Sequence, residues 1–202
     1  VALTGLGLTG GVPASLGKCA KLKTLLLREN QLNGPISNEL SQCGELERLN
    51  LAMNQLTGGV PASLGKCAKL KELVLFKNQL DGPISDELGQ CGELESLELA
   101  KNQLTGGVPA SLGKCAKLKT ICLETNQLNG PIPDELGQCG ELENLELQMN
   151  QLTGGVPASL GKCTKLKTLQ LRENEGLTIT AKGAQELKEA LPNAKLFLQV
   201  AG

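Results

Sequence analysis

Cysteine has the most regular spacing of the residues in this chain that could carry out chemistry. Seven of the eight cysteines lie 24 residues apart, in segments such as GKCAKL and GQCGEL, at Cys19, Cys43, Cys67, Cys91, Cys115, Cys139 and Cys163. Free cysteine packs as a small apolar side chain, so we predict a ladder of buried, reduced thiols. Stacked repeats would bring neighbouring cysteines within about 5 Å, inside the Cα range of a disulfide, but parallel Cβ vectors disfavour bridging.

Cys122 stands outside this ladder, and we expect it on an exposed face between Glu98 and Glu146. The chain contains no histidine that could act as its general base, and acidic neighbours would raise the pKa of the thiol. The Glu124–Glu146 pair resembles a glycosidase pair only in residue type, because a solvated sheet would not separate the two pKa values. No looped, oxygen-rich calcium motif is present. We therefore predict no enzymatic activity, no metal site and no cofactor.

The overall composition excludes further classes of partner. The formal net charge is −1, with 20 basic and 21 acidic residues, so no global field favours nucleic acid or an anionic membrane. No apolar run approaches the roughly 18 residues that a membrane span needs. Unbridged cysteines and the absence of any N-x-S/T acceptor site favour a cytoplasmic location, with an extracellular one as the alternative.

The elements that position these residues follow a repeat of 24 residues. The pattern LxxLxLxxNxL begins at Leu22, Leu46, Leu70, Leu94, Leu118, Leu142 and Leu166. Such a pattern predicts one short strand and one return arm per repeat, stacked into a solenoid. The leucines should point inward, the asparagines should bond backbone groups where the chain leaves each strand, and the prolines should keep the arms extended or loosely turned.

Two repeat types alternate along the chain, one reading LTGGVPASLGKCAKLK and the other LNGPISNELSQCGELE. Stacking would place lysines of the first type beside glutamates of the second type. This arrangement predicts two charge ladders, in which each charge has an opposite neighbour on both sides at about 5 Å. The ladders are Lys21, Glu45, Lys69, Glu93, Lys117, Glu141, Lys165 and Lys23, Glu47, Lys71, Glu95, Lys119, Glu143, Lys167.

The repeats divide the chain into three parts of one continuous domain: an N-terminal partial repeat at 1–21, the repeats at 22–174 and a C-terminal cap at 175–202. The cap should contain a helix that begins after an N-cap at Thr180 and ends before Pro192. Ala184, Leu187 and Leu191 would share its buried face. A last strand around Leu196 should close the core.

The unit LxxLxLxxNxLxGxIPxxLGxCxx, matched most fully from Leu118 to Leu142, resembles the plant-specific class of leucine-rich repeat. The phrases ENQLNGPI and VPASLGKCAKL are similar to repeats of algal and other protist proteins, some of the Roco family, although no P-loop GxxxxGK[ST] occurs. The cap segment ITAKGAQELKEALP resembles repeat ends of cytosolic proteins. The resemblance implies an α/β fold, namely a right-handed horseshoe with a parallel concave sheet, a turn-rich convex side and a helical cap. It also implies an interaction module.

Comparison of the repeats with one another indicates which face binds. Among repeats of the same type, exposed arm residues such as Lys18 and Lys66 do not vary, whereas the outward strand positions do. Neutral drift would affect both alike, so we expect the concave face to contact a ligand. The expected contact residues are Leu26, Arg28, Arg48, Met53, Glu72, Val74, Phe76, Lys77, Glu98, Lys101, Cys122, Glu124, Glu146, Gln148, Met149 and Arg172.

The predicted ligand is a protein or peptide. Apolar and arginine side chains gather in the N-terminal half of the face, and Glu98, Glu124 and Glu146 give the other half an acidic strip. The alternative is a structural scaffold, or a designed consensus repeat protein, without a specific ligand. Further domains of a longer parent protein are also potential partners.

Overall fold

The computed structural model describes residues 1–198, and its central feature is a parallel sheet of eight strands on the concave side. Each strand has three residues and pairs with the strands of the preceding and following repeats, so that Leu49 lies opposite Leu73, and Leu73 opposite Leu97. The predicted solenoid with a parallel concave sheet is confirmed. Its strands are Thr24–Leu26, Arg48–Asn50, Glu72–Val74, Ser96–Glu98, Thr120–Cys122, Asn144–Glu146, Thr168–Gln170 and Lys195–Phe197.

The return arms on the convex side contain short 3-10 helices, where the prolines predict extended or loosely turned backbone. Proline or serine precedes each of the seven helices. Ser37 and Ser85 accept hydrogen bonds from the backbone N–H groups of Glu39 and Glu87. The seven helices are Ala14–Lys18, Asn38–Gln42, Ala62–Lys66, Asp86–Gln90, Ala110–Lys114, Asp134–Gln138 and Ala158–Lys162.

A second series of parallel strands, which the repeat pattern does not predict, contributes one strand ahead of each 3-10 helix and one ahead of the cap helix. Five of these strands form one sheet and three form another. All but the last, Gly176–Thr178, are built on a segment of the Q-L-x-G type whose glycine has a positive φ, for example 71° at Gly58. The strands are Thr9–Gly10, Gln31–Pro35, Gln55–Gly58, Gln79–Pro83, Gln103–Thr105, Asn129–Gly130, Gln151–Gly155 and Gly176–Thr178.

The core between the sheets and the arms consists of leucines and the cysteine ladder. Cys43, Cys67, Cys91, Cys115, Cys139 and Cys163 are free and buried, as predicted. Burial raises the pKa of the Cys91 thiol to about 12, so this thiol stays protonated at neutral pH. The prediction of burial is wrong for Cys19, which is exposed because no complete repeat covers the first coil.

The asparagine ladder ties neighbouring coils together. Asn102 donates through Nδ2 to the carbonyls of Leu99 in its own coil and Leu75 in the preceding one, at 3.0 and 3.1 Å. Its Oδ1 accepts from the N–H of Leu80 at 3.0 Å. The predicted bonding to turn backbone is confirmed, and it extends across the coil boundary.

The charge ladders form mainly in one direction. Lys69 contacts Glu45 at 2.6 Å and Lys71 contacts Glu47 at 3.0 Å, each lysine reaching back to the preceding coil. Most of these charges within residues 1–198 form an ion pair closer than 4.0 Å on one side only, and the opposite charge on the other side acts over a longer distance, as Glu95 does on Lys71. Glu47 is an exception, because Lys23 also approaches it at 3.8 Å. The hydrogen bond from Lys71 lowers the pKa of the Glu47 carboxyl.

The C-terminal cap contains the helix Ala181–Ala190, which begins where the sequence predicts. Thr180 Oγ1 accepts from the N–H of Gly183 at 3.1 Å. Leu187 and Leu191 are buried, and Ala184 packs against the same core. Residues 199–202 of the predicted cap lie outside the described residues. No helix within residues 1–198 is long and apolar enough to cross a membrane.

Candidate ligand-binding surface on the concave sheet

The outward side chains of the concave sheet form columns because the strands pair in exact register. Thr120 lies between Ser96 and Asn144, and Cys122 between Glu98 and Glu146. A further column lies where the chain leaves the sheet with a left-handed backbone, at φ values of 55° to 59°. Its members are Glu29, Met53, Lys77, Lys101, Thr125, Met149 and Glu173. The strands therefore fix the first columns, and a recurrent turn fixes this last one.

The N-terminal half of the surface centres on Arg28 and Phe76, two coils apart. The guanidinium carbon of Arg28 lies 5.6 Å from the centre of the Phe76 ring, within the range of a cation–π contact. Ala52, between them in the column, is completely buried. Arg28 also reaches the Sδ atom of Met53 at 3.6 Å and Glu29 at 2.9 Å. These contacts hold Arg28 and the half-buried Phe76 in place beside each other.

Two other predicted contact residues in this half, Leu26 and Val74, differ in how far their side chains are exposed. Leu26 is half-buried at the end of its strand. Val74 is only 7% exposed, so the expectation that it is an exposed apolar side chain is wrong. It lies in register between Asn50 and Glu98 on closely spaced strands, so its neighbours shield a short side chain that the strand pattern alone predicts to be outward.

The centre of the surface contains a shallow cavity of about 360 Å³. Glu72, Ser96 and Glu98 are among the residues that line it. Arg48 contacts Glu72 at 3.3 Å, so part of the negative charge here is compensated. The Ser96 hydroxyl donates to Glu98 at 3.0 Å.

The second half of the surface brings together Cys122, Glu124 and Glu146, whose donor atoms all lie within 4.8 Å of one another. Cys122 is half-buried and not exposed as the sequence predicts. Burial is the main cause that raises the pKa of its thiol, and the charge of Glu146, an acidic neighbour as predicted, adds to this effect. Burial also raises the pKa of the Glu124 carboxyl, and the charge of Glu146 adds to this effect. Gln148 lies beside them, with its Nε2 atom 3.5 Å from Glu146.

The remaining predicted residues lie at the rim of the surface. Lys77 and Lys101 are exposed, and Met149 is 46% exposed. The Arg172 guanidinium lies 5.2 Å from the centre of the Phe197 ring. The sequence analysis missed Phe197 as a surface residue, although the Leu196 strand signal places it at an outward position beside Gln170.

The family model described as Leucine Rich Repeat matches residues 21–43, 45–67, 93–115, 117–139 and 141–163, more than half of the chain. The chain belongs to the leucine-rich repeat family. Members of this family are recognition modules, and the family is not a catalytic one. No curated protein matches the sequence. The resemblance to algal and protist repeats of the Roco type finds no support in these comparisons.

Solved structures that are similar to this chain include plant leucine-rich repeat receptors. One is the ectodomain of the Arabidopsis thaliana membrane receptor kinase GASSHO1/SCHENGEN3 in complex with CASPARIAN STRIP INTEGRITY FACTOR 2, with 35% identity over 98% of this chain and 24% of that chain, and a TM-score of 0.90. Another is the Arabidopsis receptor kinase HAESA with the peptide hormone IDA and the co-receptor SERK1, with 30% identity over 96% of this chain and 32% of that chain, and a TM-score of 0.87. The chain thus spans a quarter to a third of the length of these receptor chains. The comparison does not support the expected cytoplasmic location.

Proposed function

We propose that this leucine-rich repeat domain binds a protein or peptide ligand on its concave sheet. The observation that carries the proposal is that repeats of the same type differ mainly at the outward strand positions, while exposed arm residues such as Lys66 are constant among them. The register of the strands turns those varied positions into one continuous surface. Complexes of similar plant receptors with peptide ligands support the same class of partner.

The two halves of the surface favour different parts of such a ligand. An aromatic ring beside an arginine is a frequent anchor of protein interfaces, and Phe76 with Arg28 supplies one. An apolar ligand side chain would pack there. The carboxylates of Glu98, Glu124 and Glu146 favour a basic ligand residue over the C-terminal half. We expect no catalysis, because the raised pKa of Cys122 leaves a poor nucleophile.

The location that accompanies this function is the extracellular alternative. The ectodomain among the similar structures supports it. Six of the free cysteines are buried, so few thiols would be accessible to oxidation outside the cell.

Selection from a random peptide display library, followed by calorimetry of the selected peptides, tests the proposal. We expect Phe76→Ser to weaken binding at least tenfold, about 1.4 kcal/mol. The matched control is Lys66→Ala, on an exposed arm, which should leave the affinity unchanged. Selected peptides that bind both variants with the wild-type affinity would contradict the use of the concave face. Failure to select any peptide would favour the scaffold alternative.

A further inference from the structure

The trio of Cys122, Glu124 and Glu146 is a mixed set of sulfur and oxygen donors. Cys122 and Glu124 are two residues apart and both face outward, and Glu146 lies opposite Cys122 on the next strand. Their three donor atoms lie within 4.8 Å of one another. A zinc ion binds sulfur at about 2.3 Å and carboxylate oxygen at about 2.0–2.2 Å. Small side-chain rotations would therefore bring all three atoms onto one ion.

The charge of this region is not compensated as it is elsewhere in the solenoid. Glu45, Glu47 and Glu72 each lie within 4.0 Å of a lysine or arginine. Glu124 and Glu146 form no such ion pair within residues 1–198, nor does Glu98, which flanks Cys122 on the other side. Carboxylates that crowd together without a cation repel one another, and a bound cation would remove that repulsion.

Two oxygen atoms, one in the trio and one on a neighbouring side chain, lack a hydrogen-bond donor. Glu124 Oε2 and Gln148 Oε1 are both shielded from solvent and accept no hydrogen bond within the described chain. A buried acceptor without a donor lowers stability, because it forfeits the hydrogen bonds that it would make with water. The Gln148 amide adjoins the Glu146 carboxylate, so both unpartnered oxygens belong to the same neighbourhood. A cation would satisfy the Glu124 oxygen directly.

We propose that Cys122, Glu124 and Glu146 bind a divalent transition metal ion of the zinc class, with a fourth position left for water or a ligand atom. Thiolate is a soft ligand that suits zinc, whereas calcium and magnesium require shells composed of oxygen atoms. This site does not depend on the proposed peptide recognition, and it departs from the absence of a metal site that the sequence analysis expects. The sequence pattern places the donors in columns but does not show that they converge.

Titration of the untagged, reduced protein with Zn²⁺ in competition with a chromophoric chelator tests the site. We expect one equivalent to bind, and Cys122→Ser to weaken binding at least tenfold. Glu146→Gln should also weaken it. Cys19→Ser is the matched control, because Cys19 is an exposed thiol outside the trio, and it should retain the wild-type affinity.

Substitution with Co²⁺ gives a second readout, because a thiolate-to-cobalt charge-transfer band requires a sulfur ligand. The band should appear in the wild type and in Cys19→Ser, and it should be absent in Cys122→Ser. Absence of zinc binding in the wild type, or equal binding by wild type and Cys122→Ser, would overturn the proposal. If Cys122→Ser does not fold, retention of full affinity and of the band in Glu146→Gln would overturn it instead. Peptide binding measured with a chelator present tests the proposed function separately.

Discussion

Replacement of Asn150 by alanine would test how much the asparagine ladder contributes to stability. Asn150 is 8% exposed. Its Nδ2 atom donates to the carbonyls of Leu123 and Leu147 at 3.0 and 3.1 Å, and its Oδ1 atom accepts from the N–H of Leu128 at 3.0 Å. Alanine would remove all three bonds. It would leave the Leu128 N–H without a partner, whereas the carbonyls of Leu123 and Leu147 would each keep one bond, from Asn126 and Asn174.

The magnitude follows from these three bonds. A hydrogen bond contributes about 1 kcal/mol net, and a buried group left without a partner costs about 1–3 kcal/mol. We therefore expect Asn150→Ala to lower the free energy of unfolding by about 3–5 kcal/mol. Asn150→Asp should cost at least as much at pH 7, because a carboxylate would face carbonyl oxygens in place of the amide donors.

Urea unfolding followed by circular dichroism measures this change, and Gln151→Ala is the matched control. Gln151 is the next residue and is exposed, so its truncation should alter stability by less than about 0.5 kcal/mol. A loss below about 1 kcal/mol for Asn150→Ala, or equal losses for the two variants, would refute the assignment of the ladder as the connection between coils.

Three other measurements test the packing, the thiols and the charges. Gly113→Ala should destabilise the protein strongly, because the new Cβ would clash with the Glu135 carbonyl oxygen in the next coil. Gly140→Ala is the control and should be tolerated, because its Cβ would meet no atom within 4 Å. Similar melting temperatures for the two variants would contradict this packing. A thiol reagent applied to the native protein should modify Cys19 first and the six buried ladder thiols only on unfolding. Equal rates of modification for Cys19 and the ladder thiols would refute the burial of the ladder in the core. The Glu47 carboxyl has a pKa lowered from its ordinary 4.5, mainly by Lys71, so its stabilising effect is present above that value and is lost as the pH falls through the lowered pKa. Lys71→Gln should make the acid-side fall of the melting temperature shallower, and an unchanged profile would argue against the ion pair.

The repeat pattern predicts those parts of the molecule that recur in every coil. The strand leucines, the asparagine ladder and the arms follow from a period of 24 residues, because each repeat must bury the same positions against its neighbours. The cap helix follows from Thr180 and the spacing of Leu187 and Leu191. These features depend on local chemistry and on stacking alone.

Other features depend on distances between coils that the pattern does not contain. The second series of strands has only two to five residues per strand and is rich in glycine, so it gives no strand signal. Val74 has an outward position but is shielded by its neighbours, and Cys19 has an inward position but lies in an incompletely covered coil. The convergence of Cys122 with Glu124 and Glu146 depends on side-chain directions across two strands.

The central claim is that the varied concave sheet is the recognition surface. Mapping of a selected peptide by chemical-shift perturbation of backbone amides tests it most directly. The account predicts the largest shifts in the concave strands, from Arg48–Asn50 to Asn144–Glu146, with little change in arms such as Ala62–Lys66. Shifts concentrated in the arms or in the second series of strands, with the concave amides unmoved, would contradict it.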